Sequence, residues 1–297
     1  MQQYYSEDTI LFLDGNFVHA RDAKTDLFGQ TLHYGYGVFE GIRSYQTIHG
    51  TKIFRAQAHF ERLLNSCLLL GIPLEYTPEE LTQISYQVLQ KNNLANAYLR
   101  PLVFCSPNMS LTAPKKVSIM ITAWDWGKYF SGSSLRLCIS SYERPNPKSI
   151  RVEAKACGHY VNSILATTEA KTRGFDEALM LDMYGNVAEG PGANFFLEKD
   201  GELITPKPGS ILPGITRSVV MEICTELDIP VQERTVSPDE LSMADSAFFS
   251  GTAAEITAIE SIDDQPFQKP WKKSLGKIVQ EAYQSIVLDK SYSYGIV

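Results

Sequence analysis

The stretch Leu181-Asp-Met-Tyr-Gly-Asn-Val-Ala-Glu-Gly-Pro-Gly-Ala-Asn-Phe-Phe196 decides the fold. Tyr184-Gly-Asn186 predicts a turn between two short strands there, and Lys199-Asp-Gly201 predicts another turn directly after it. Turns of the same kind are predicted near the N-terminus, at Asp14-Gly15 and His49-Gly50. Hairpins at this frequency indicate the α+β class, because a doubly wound nucleotide-binding fold alternates single strands with helices.

Helical periodicity fills much of the sequence between these hairpins. Apolar side chains recur at helical spacing, and Thr77 with Glu80 predicts a capped helix start. Helices are predicted at Ala56–Leu70, Pro78–Leu89, Asn162–Arg173, Ile215–Leu227, Pro238–Met243 and Trp271–Val287. Strands are predicted around the Asp14-Gly15 turn and at Val38–Tyr45, Thr51–Phe54, Ala97–Cys105, Val117–Trp124, Leu135–Ser141, Val231–Val236 and Ala247–Phe249.

A loop rich in glycine and serine, residues 126–134, interrupts this pattern. Loops of this composition often connect domains. We therefore expect a smaller N-terminal α/β domain at residues 1–125, an interdomain loop at 126–134, and a larger, β-rich C-terminal domain at 135–297.

The overall charge excludes one broad class of partner. The 297 residues carry a net charge of −7, whereas a nucleic-acid surface needs clustered Lys and Arg. The sequence shows no signal peptide, no apolar run of ~20 residues and no C-x-x-C pair among its five cysteines. We expect a cytoplasmic protein without a metal site, a membrane anchor or a nucleic-acid partner.

Two titratable residues stand in unusual surroundings. Lys155 is followed by the small residues Ala156, Cys157 and Gly158, which would let a bulky ring approach the backbone. Glu189 lies between apolar residues and a Gly-Pro-Gly turn, where a carboxylate is stable beside a cationic partner. Most Lys and Glu side chains are solvated, so neither residue decides the function by itself.

Three segments are suited to bind anions. Pro213-Gly-Ile-Thr-Arg217 opens a helix whose first amides, at Ile215 and Thr216, would favour a phosphate. Ser250-Gly-Thr-Ala-Ala-Glu255 follows a strand, so Thr252 could donate to phosphate and the amides of residues 252–254 could bind a carboxylate. Arg55 begins a helix, where a cation is favoured only if it faces an anion. An amine, a carboxylate and phosphate donors together suit an enzyme of amino-group transfer that uses pyridoxal 5′-phosphate.

These segments resemble the fold-type-IV pyridoxal-phosphate enzymes, and most closely the branched-chain-amino-acid aminotransferases. The similarity runs from Leu32-His-Tyr-Gly-Tyr-Gly-Val-Phe-Glu-Gly-Ile-Arg43 to Ser250-Gly-Thr-Ala-Ala-Glu-Ile256. The order is what is specific: a lysine, a glutamate 34 residues later, then Gly-Ile-Thr-Arg and Ser-Gly-Thr-Ala-Ala-Glu. The resemblance implies a homodimer or a higher homo-oligomer.

The resemblance also implies a role for each matching position. Lys155 would be the Schiff-base lysine, Glu189 the partner of the pyridine nitrogen, and Tyr160 would lie near the ring oxygen. The phosphate would be held by Arg55, Ile215, Thr216 and Thr252. The substrate would be bound by Tyr34 (from the neighbouring subunit), Phe39, Gly41, Arg43, Tyr98, Arg100, Tyr129, Thr252, Ala253 and Ala254.

The implied reaction transfers the amino group between branched-chain L-amino acids (Leu, Ile, Val) and 2-oxoglutarate. A D-amino-acid aminotransferase, an (R)-amine transaminase and an aminodeoxychorismate lyase share the fold and stay open as alternatives. The Tyr98-x-Arg100 pair favours the branched-chain type. A non-enzymatic ligand-binding protein is the alternative from another class. The sequence departs from the family pattern at Ala193, where a glutamate is usual, and in the loop 106–114, which bears on specificity.

Overall fold

The computed structural model describes residues 4–127, 130 and 132–290. The chain forms two compact units, of which the first comprises Met1–Gly127 and Ala154–His159 and the second comprises Lys128–Glu153 and Tyr160–Val297. The sequence prediction assigned residues 135–297 to one C-terminal domain without a break. Ala154–His159 lies with the first unit because its backbone is hydrogen-bonded there, for example from Gly158 N to Gly35 O at 2.9 Å.

The first unit is built on a seven-stranded antiparallel sheet with the order β2-β1-β7-β6-β4-β5, and β3 pairs with β6. Its strands are β1 (Ile10–Leu13), β2 (Asn16–His19), β3 (Gly37–Phe39), β4 (Ile42–Thr47), β5 (Gly50–Ile53), β6 (Ala97–Cys105) and β7 (Val117–Asp125). Its helices are α1 (Gln30–Tyr34), α2 (Ala56–Leu69) and α3 (Pro78–Lys91), with 3₁₀ turns at Ala20–Asp22 and Cys157–His159.

Local sequence signals account for these elements. Asp14 and Gly15 both have positive φ (45° and 88°), the requirement of a type I′ hairpin turn between β1 and β2. Thr77 and Glu80 form the predicted capping box at the start of α3.

The core of the first unit lies on one face of its sheet. Leu99, Ile42 and Ala123 from the sheet are buried in one apolar cluster with Phe60 of α2 and Val88 of α3. Because side chains alternate along a strand, the neighbours of Leu99 on β6 point to the opposite face. That opposite face carries the residues that the sequence predicts to bind the substrate.

The second unit is built on nine strands in the order β10-β9-β8-β15-β14-β11-β12-β13, with β16 beside β15. A further pairing of β10 with β11 closes six of these strands into a ring. The strands are β8 (Ser134–Ile139), β9 (Glu177–Leu181), β10 (Val187–Glu189), β11 (Asn194–Lys199), β12 (Glu202–Pro206), β13 (Val231–Arg234), β14 (Ser246–Gly251), β15 (Glu255–Ile262) and β16 (Gln265–Pro266). The helices are α4 (Tyr160–Thr172), α5 (Ile215–Glu226) and α6 (Leu275–Val287), with 3₁₀ helices at Pro238–Met243 and Trp271–Lys273.

Two sequence predictions of elements need correction. The predicted strand Val38–Tyr45 is interrupted at Glu40 and Gly41, where Gly41 N–H donates to the Glu40 carboxylate at 3.2 Å instead of to a strand. The predicted helix Trp271–Val287 is divided at Ser274, which caps α6 by accepting from Lys277 N–H. Strand β15 and the short helix α1 were not predicted.

No helix of the described ranges combines the length and apolar character needed to cross a membrane. In the same ranges, no three His, Cys, Asp or Glu side chains are grouped so that they could bind a metal ion.

Candidate functional site

Lys155 is held through its backbone by two elements of the first unit. Its carbonyl accepts from Phe39 N–H at 3.1 Å, and its N–H donates to Ser66 Oγ of α2 at 3.0 Å. A few residues on, Gly158 packs so closely on Gly35 that a Cβ at Gly35 would lie 2.8 Å from Gly158 Cα. The Lys155 Nζ atom lies 5.1 Å from the centroid of the Phe39 ring. The amine is thus attached to a fixed backbone beside an aromatic ring.

The opposite face of the first sheet gathers the predicted substrate residues. Arg43 and Trp124 both pair in register with Tyr98, so the three side chains share one face. The Arg100 guanidinium lies two residues further on β6, 4.7 Å from the Phe39 ring and 5.5 Å from the Tyr98 ring. Arg100 Nε is buried and has no hydrogen-bond partner among the described residues. A cation with an unused donor on an aromatic surface is suited to bind a carboxylate.

Gly41 is required by this packing. A Cβ at Gly41 would overlap the Tyr98 hydroxyl oxygen and lie 2.6 Å from the Tyr98 Cζ atom. The Tyr98 ring also stacks on Trp126, with centroids 4.8 Å apart and an interplanar angle of 28°. Glycine therefore leaves room for an aromatic wall that is fixed on both sides.

Arg55 occupies the N-cap position of α2 with a left-handed backbone (φ 52°) and an exposed side chain. One helical turn after Arg55 lies a buried cluster that was not predicted from the sequence. Glu40 accepts from His59 Nδ1 at 2.8 Å and from Arg62 Nε at 2.6 Å, and its side chain is fully buried. The available signal was the spacing of positions 55, 59, 62 and 66, which lie on one face of a helix.

Glu189 is the centre of a polar cluster in the second unit. It is 4% exposed at the end of β10 and forms an ion pair with Arg144 Nε at 2.9 Å. Its carboxylate also accepts from Asn194 Nδ2 at 3.0 Å and from Leu212 N–H at 3.1 Å. Two hydrogen-bond donors and a guanidinium surround this side chain, which suits a carboxylate rather than a carboxylic acid. Arg144 was not predicted, because it lies in a loop far from Glu189 in the sequence.

The register of the second sheet places Glu189 beside the candidate phosphate turn. Glu189 pairs with Asn194, and Asn194 pairs with Ser250 on β14. Ser250 is fully buried, and its Oγ has no hydrogen-bond partner within the described part of the chain. Residues 252–254 form the turn to β15, and Glu255 follows with a φ of 52°.

The N-terminus of α5 lies in the same cluster. Gly214 is its N-cap, and a side chain there would overlap the Asn194 Oδ1 atom. The amides of Ile215 and Thr216 come first in the helix, so they have no intrahelical acceptor and can bind an anion. Arg217 does not join them, because its guanidinium bonds to Pro206 O at 3.0 Å and to Glu233 at 2.6 Å.

The predicted site residues thus form two groups, one in each unit. The first contains Phe39, Gly41, Arg43, Arg55, Tyr98, Arg100 and Lys155, and the second contains Glu189, Ile215, Thr216, Thr252, Ala253 and Ala254. Tyr160 is the first residue of α4. Tyr34 ends α1 with 45% of its side chain exposed, and its hydroxyl lies 3.4 Å from Met109 O. Tyr129 lies outside the described residues.

Comparison with known proteins defines the class. Residues 37–262 match the family model described as amino-transferase class IV. The structure superposes with a TM-score of 0.92 on the branched-chain aminotransferase of Thermoproteus uzoniensis with norvaline, at 39% identity over 95% of this chain and 96% of that one. The fold and the family match identify a class IV aminotransferase.

Two further relatives specify the family. The branched-chain-amino-acid aminotransferase of Pseudomonas aeruginosa is 40% identical over 293 residues, which is 97% of this chain and 95% of that protein. The T.th. branched-chain amino acid aminotransferase complexed with N-(5′-phosphopyridoxyl)-L-glutamate has a TM-score of 0.89 at 36% identity and covers 96% of both chains. The chain belongs to the branched-chain-amino-acid aminotransferase family. The predicted family and fold class are confirmed.

Proposed function

We propose that this protein transfers the amino group between branched-chain L-amino acids and 2-oxoglutarate, with pyridoxal 5′-phosphate as cofactor and Lys155 as the residue that carries it. The observation that carries the proposal is the placement of Lys155, with its backbone hydrogen-bonded on both sides and its amine beside the Phe39 ring. This arrangement agrees with the names of the 40% identical relative and of the solved structures.

The residues of the second unit fit the cofactor. Its phosphate needs several hydrogen-bond donors, and the first amides of α5 together with the buried, unpartnered Ser250 hydroxyl supply them in one cluster. Its pyridine nitrogen needs an anion, which Glu189 supplies. Arg55 and Thr252 are the further donors that we assign to the phosphate.

The chemistry divides between the cofactor and the chain. When bound, pyridoxal phosphate withdraws electrons from the substrate Cα and so acidifies its proton. The Lys155 amine would take that proton from the substrate Cα as general base and would give it up again as general acid. Glu189 holds a proton on the ring nitrogen through its negative charge, and Arg144 and Asn194 fix the carboxylate for this role.

The predicted substrate residues of the first unit suit both a branched-chain amino acid and glutamate. Phe39 and Tyr98 provide apolar area for an aliphatic side chain, whose full burial contributes ~1.5–3 kcal/mol. The Arg100 guanidinium, with its unused Nε donor, binds the distal carboxylate of glutamate. The solved T.th. relative was crystallised both with N-(5′-phosphopyridoxyl)-L-glutamate and with 4-methylvaleric acid. The first ligand carries a glutamate and the second an aliphatic chain, which are the two kinds of group that we assign to this pocket.

We also propose a homodimer in which Tyr34 contributes to the partner's site. Exposed apolar side chains cluster in sequence around Tyr34, at Leu27, Phe28 and Leu32, with 63–71% of each exposed. An apolar cavity of about 400 Å³ adjoins them and is lined by Leu11, Leu32, Leu102, Phe104 and Met120 among others. Exposed apolar area of this kind favours burial by a second subunit. Leu32→Asp should shift the mass measured by sedimentation to the monomer.

For localisation we propose the cytoplasm. All five cysteines, Cys67, Cys105, Cys138, Cys157 and Cys224, are free thiols. Free thiols suit a reducing compartment.

The assignment of Lys155 is tested by cofactor capture. Borohydride treatment of the protein loaded with pyridoxal phosphate should attach the cofactor to Lys155, as identified by peptide mass spectrometry. Lys155→Ala should lose the cofactor's visible absorbance and the formation of glutamate from L-leucine and 2-oxoglutarate. Lys148→Ala, which removes an exposed lysine seven residues earlier, is the matched control. Capture at another residue, or undiminished glutamate formation in Lys155→Ala, would refute the assignment.

The substrate class is tested by a panel of amino donors with 2-oxoglutarate as acceptor. L-leucine should be converted faster than D-alanine and (R)-1-phenylethylamine. A preference for either of the latter would replace the branched-chain assignment by the D-amino-acid or the (R)-amine type.

A further inference from the structure

Helix α2 carries His59, Arg62 and Ser66 on one face, and Arg55 stands at its N-cap. Arg55, His59, Arg62 and Ser66 are spaced by four, three and four residues, which places them above one another on a helix. His59 and Ser66 are 2% and 0% exposed. Polar side chains on the buried face of a helix need partners, and each partner here belongs to the candidate site.

The first partner is Glu40, which stands between the substrate residues Phe39 and Gly41. Arg62 donates to both carboxylate oxygens, from Nε at 2.6 Å and from Nη2 at 2.9 Å, and His59 Nδ1 lies 2.8 Å from Oε2. Burial alone would raise the pKa of the Glu40 carboxyl, but Arg62 and His59 more than offset this effect and hold the pKa well below its usual range. Burial lowers the pKa of His59, so the imidazole is neutral. The cluster is therefore one complete ion pair with a neutral hydrogen-bond donor.

The second partner is the backbone of Lys155. Ser66 Oγ accepts the Lys155 N–H at 3.0 Å, and the Lys155 carbonyl accepts from Phe39 N–H at 3.1 Å. Phe39 directly precedes Glu40 in the chain. Lys155 is thus connected to α2 twice, once through Ser66 and once through the segment that Glu40 ties to Arg62.

Arg55 stands at the start of the helix. Its left-handed backbone places the side chain at the N-cap instead of along the helix, and such a conformation for a residue with a side chain costs about 1 kcal/mol. The backbone N–H of His59, one turn later, donates to Arg55 O at 3.1 Å, so the first turn joins Arg55 to the residue that contacts Glu40.

We propose that Glu40, His59, Arg62 and Ser66 form a positioning network that fixes Lys155, the Phe39–Gly41 segment and Arg55 relative to one another through one face of α2. This inference rests on the proposed function, in which Lys155 carries the cofactor and Arg55 binds its phosphate. None of the four residues is assigned a contact with cofactor or substrate. A buried ion pair is weak evidence for a stabilising role, because apolar residues can often replace the whole pair. We therefore assign this cluster a role in placement.

Ser66→Ala is the decisive variant, because it removes one hydroxyl and creates no clash. We expect kcat for L-leucine to fall roughly tenfold with KM within about twofold, since a displaced lysine acts in the chemical step and not in substrate binding. The dissociation constant of pyridoxal phosphate for the apoprotein should rise by a similar factor. Amide hydrogen exchange in the peptide that contains residues 154–158 should become faster.

Ser85→Ala is the matched control. Ser85 is also fully buried on a helix of the first unit, but among the described residues its hydroxyl bonds only to Leu81 O, at 2.8 Å. It should keep wild-type kcat, cofactor affinity and exchange at residues 154–158.

Glu40→Gln tests the other end of the network. It keeps the shape of the side chain and removes the charge that Arg62 and His59 surround. If the two ends act as one network, the loss of kcat in Glu40→Gln/Ser66→Ala is smaller than the product of the two single losses. Independent sites give that product to within about twofold.

Such a product, or wild-type kcat and cofactor affinity in Ser66→Ala, would overturn the network while the capture of cofactor at Lys155 stands. Wild-type capture at a different lysine would instead refute the proposed function, and the network with it.

Discussion

Replacement of Gly41 by alanine is the sharpest test of the proposed substrate-binding face of the first sheet. The added Cβ would lie 2.6 Å from the Tyr98 Cζ atom, whereas ordinary contacts begin near 3.4 Å, so the ring carbon must move by about 0.8 Å and the hydroxyl further. Tyr98 cannot simply rotate away, because its ring stacks on Trp126 at 4.8 Å and packs against Trp124 at 5.3 Å. A displacement of Tyr98 therefore also displaces Trp124 and Trp126, which form the aromatic wall together with it.

Two magnitudes follow from this geometry. Overpacking of a filled interior costs about 1–3 kcal/mol of the free energy of unfolding. A shift approaching 1 Å in groups that position a substrate can lower the rate by about 10²-fold, so we expect kcat/KM for L-leucine to fall by roughly that factor. The affinity for pyridoxal phosphate should change little, because Gly41 has no assigned contact with the cofactor.

The measurements are urea unfolding and steady-state kinetics of Gly41→Ala and of two comparison variants. Gly127→Ala adds the same methyl group where, apart from its neighbours in the chain, no atom of the described residues lies within 4 Å, and it should behave as wild type. Gly41→Ala/Tyr98→Phe removes the overlapped hydroxyl and should regain part of the lost stability. If Gly41→Ala keeps both wild-type stability and wild-type kcat/KM, the reasoning on the aromatic wall is wrong.

Three further predictions concern buried polar groups of the second unit. Glu189→Gln should lower kcat by at least ~10-fold and weaken cofactor binding, because the negative charge assigned to the pyridine nitrogen is lost; steady-state kinetics and cofactor titration measure this. Burial raises the pKa of Glu177, so ionisation of this carboxyl opposes folding as the pH rises. Glu177→Gln should therefore raise the melting temperature by about 2 °C at pH 8 and leave it unchanged at pH 4, and a gain at pH 4 alone would contradict this sign. Ser250→Ala should leave the apoprotein as stable or more stable in urea unfolding, because an unpartnered hydroxyl disappears, while its dissociation constant for pyridoxal phosphate rises about threefold or more.

The parts of the fold that were predictable depend on local chemistry. The Asp14-Gly15 turn, the capped helix α3 and the strand Ala97–Cys105 follow from residues that interact with close neighbours in the sequence. Helix α1 was not predicted, because five residues are too few to show a helical period. Strand β15 begins with Glu255 in a left-handed conformation directly after a tight turn, and no local pattern marks where that turn ends.

The same limit applies to the candidate site. Lys155 and Glu189 were identifiable because their positions match a known family, which the comparisons confirm together with its cofactor. The residues that hold Lys155 and Glu189 in place could not be identified from the sequence. Arg144 and Ser66 lie 45 and 89 residues away from the groups that they contact, and such pairings exist only in the folded chain. The individual roles assigned to the site residues stay predictions.

The assignment of Ala154–His159 to the first unit constrains how this protein can be recombined. The peptide is covalently joined at both ends to the second unit, yet its hydrogen-bond partners Gly35, Phe39 and Ser66 come from the first hundred residues. A chimera that takes residues 1–127 from a relative would therefore replace the support of Lys155 and keep the lysine itself. An exchange of segments between homologues is therefore expected to work best when the six-residue peptide is transferred together with the N-terminal segment.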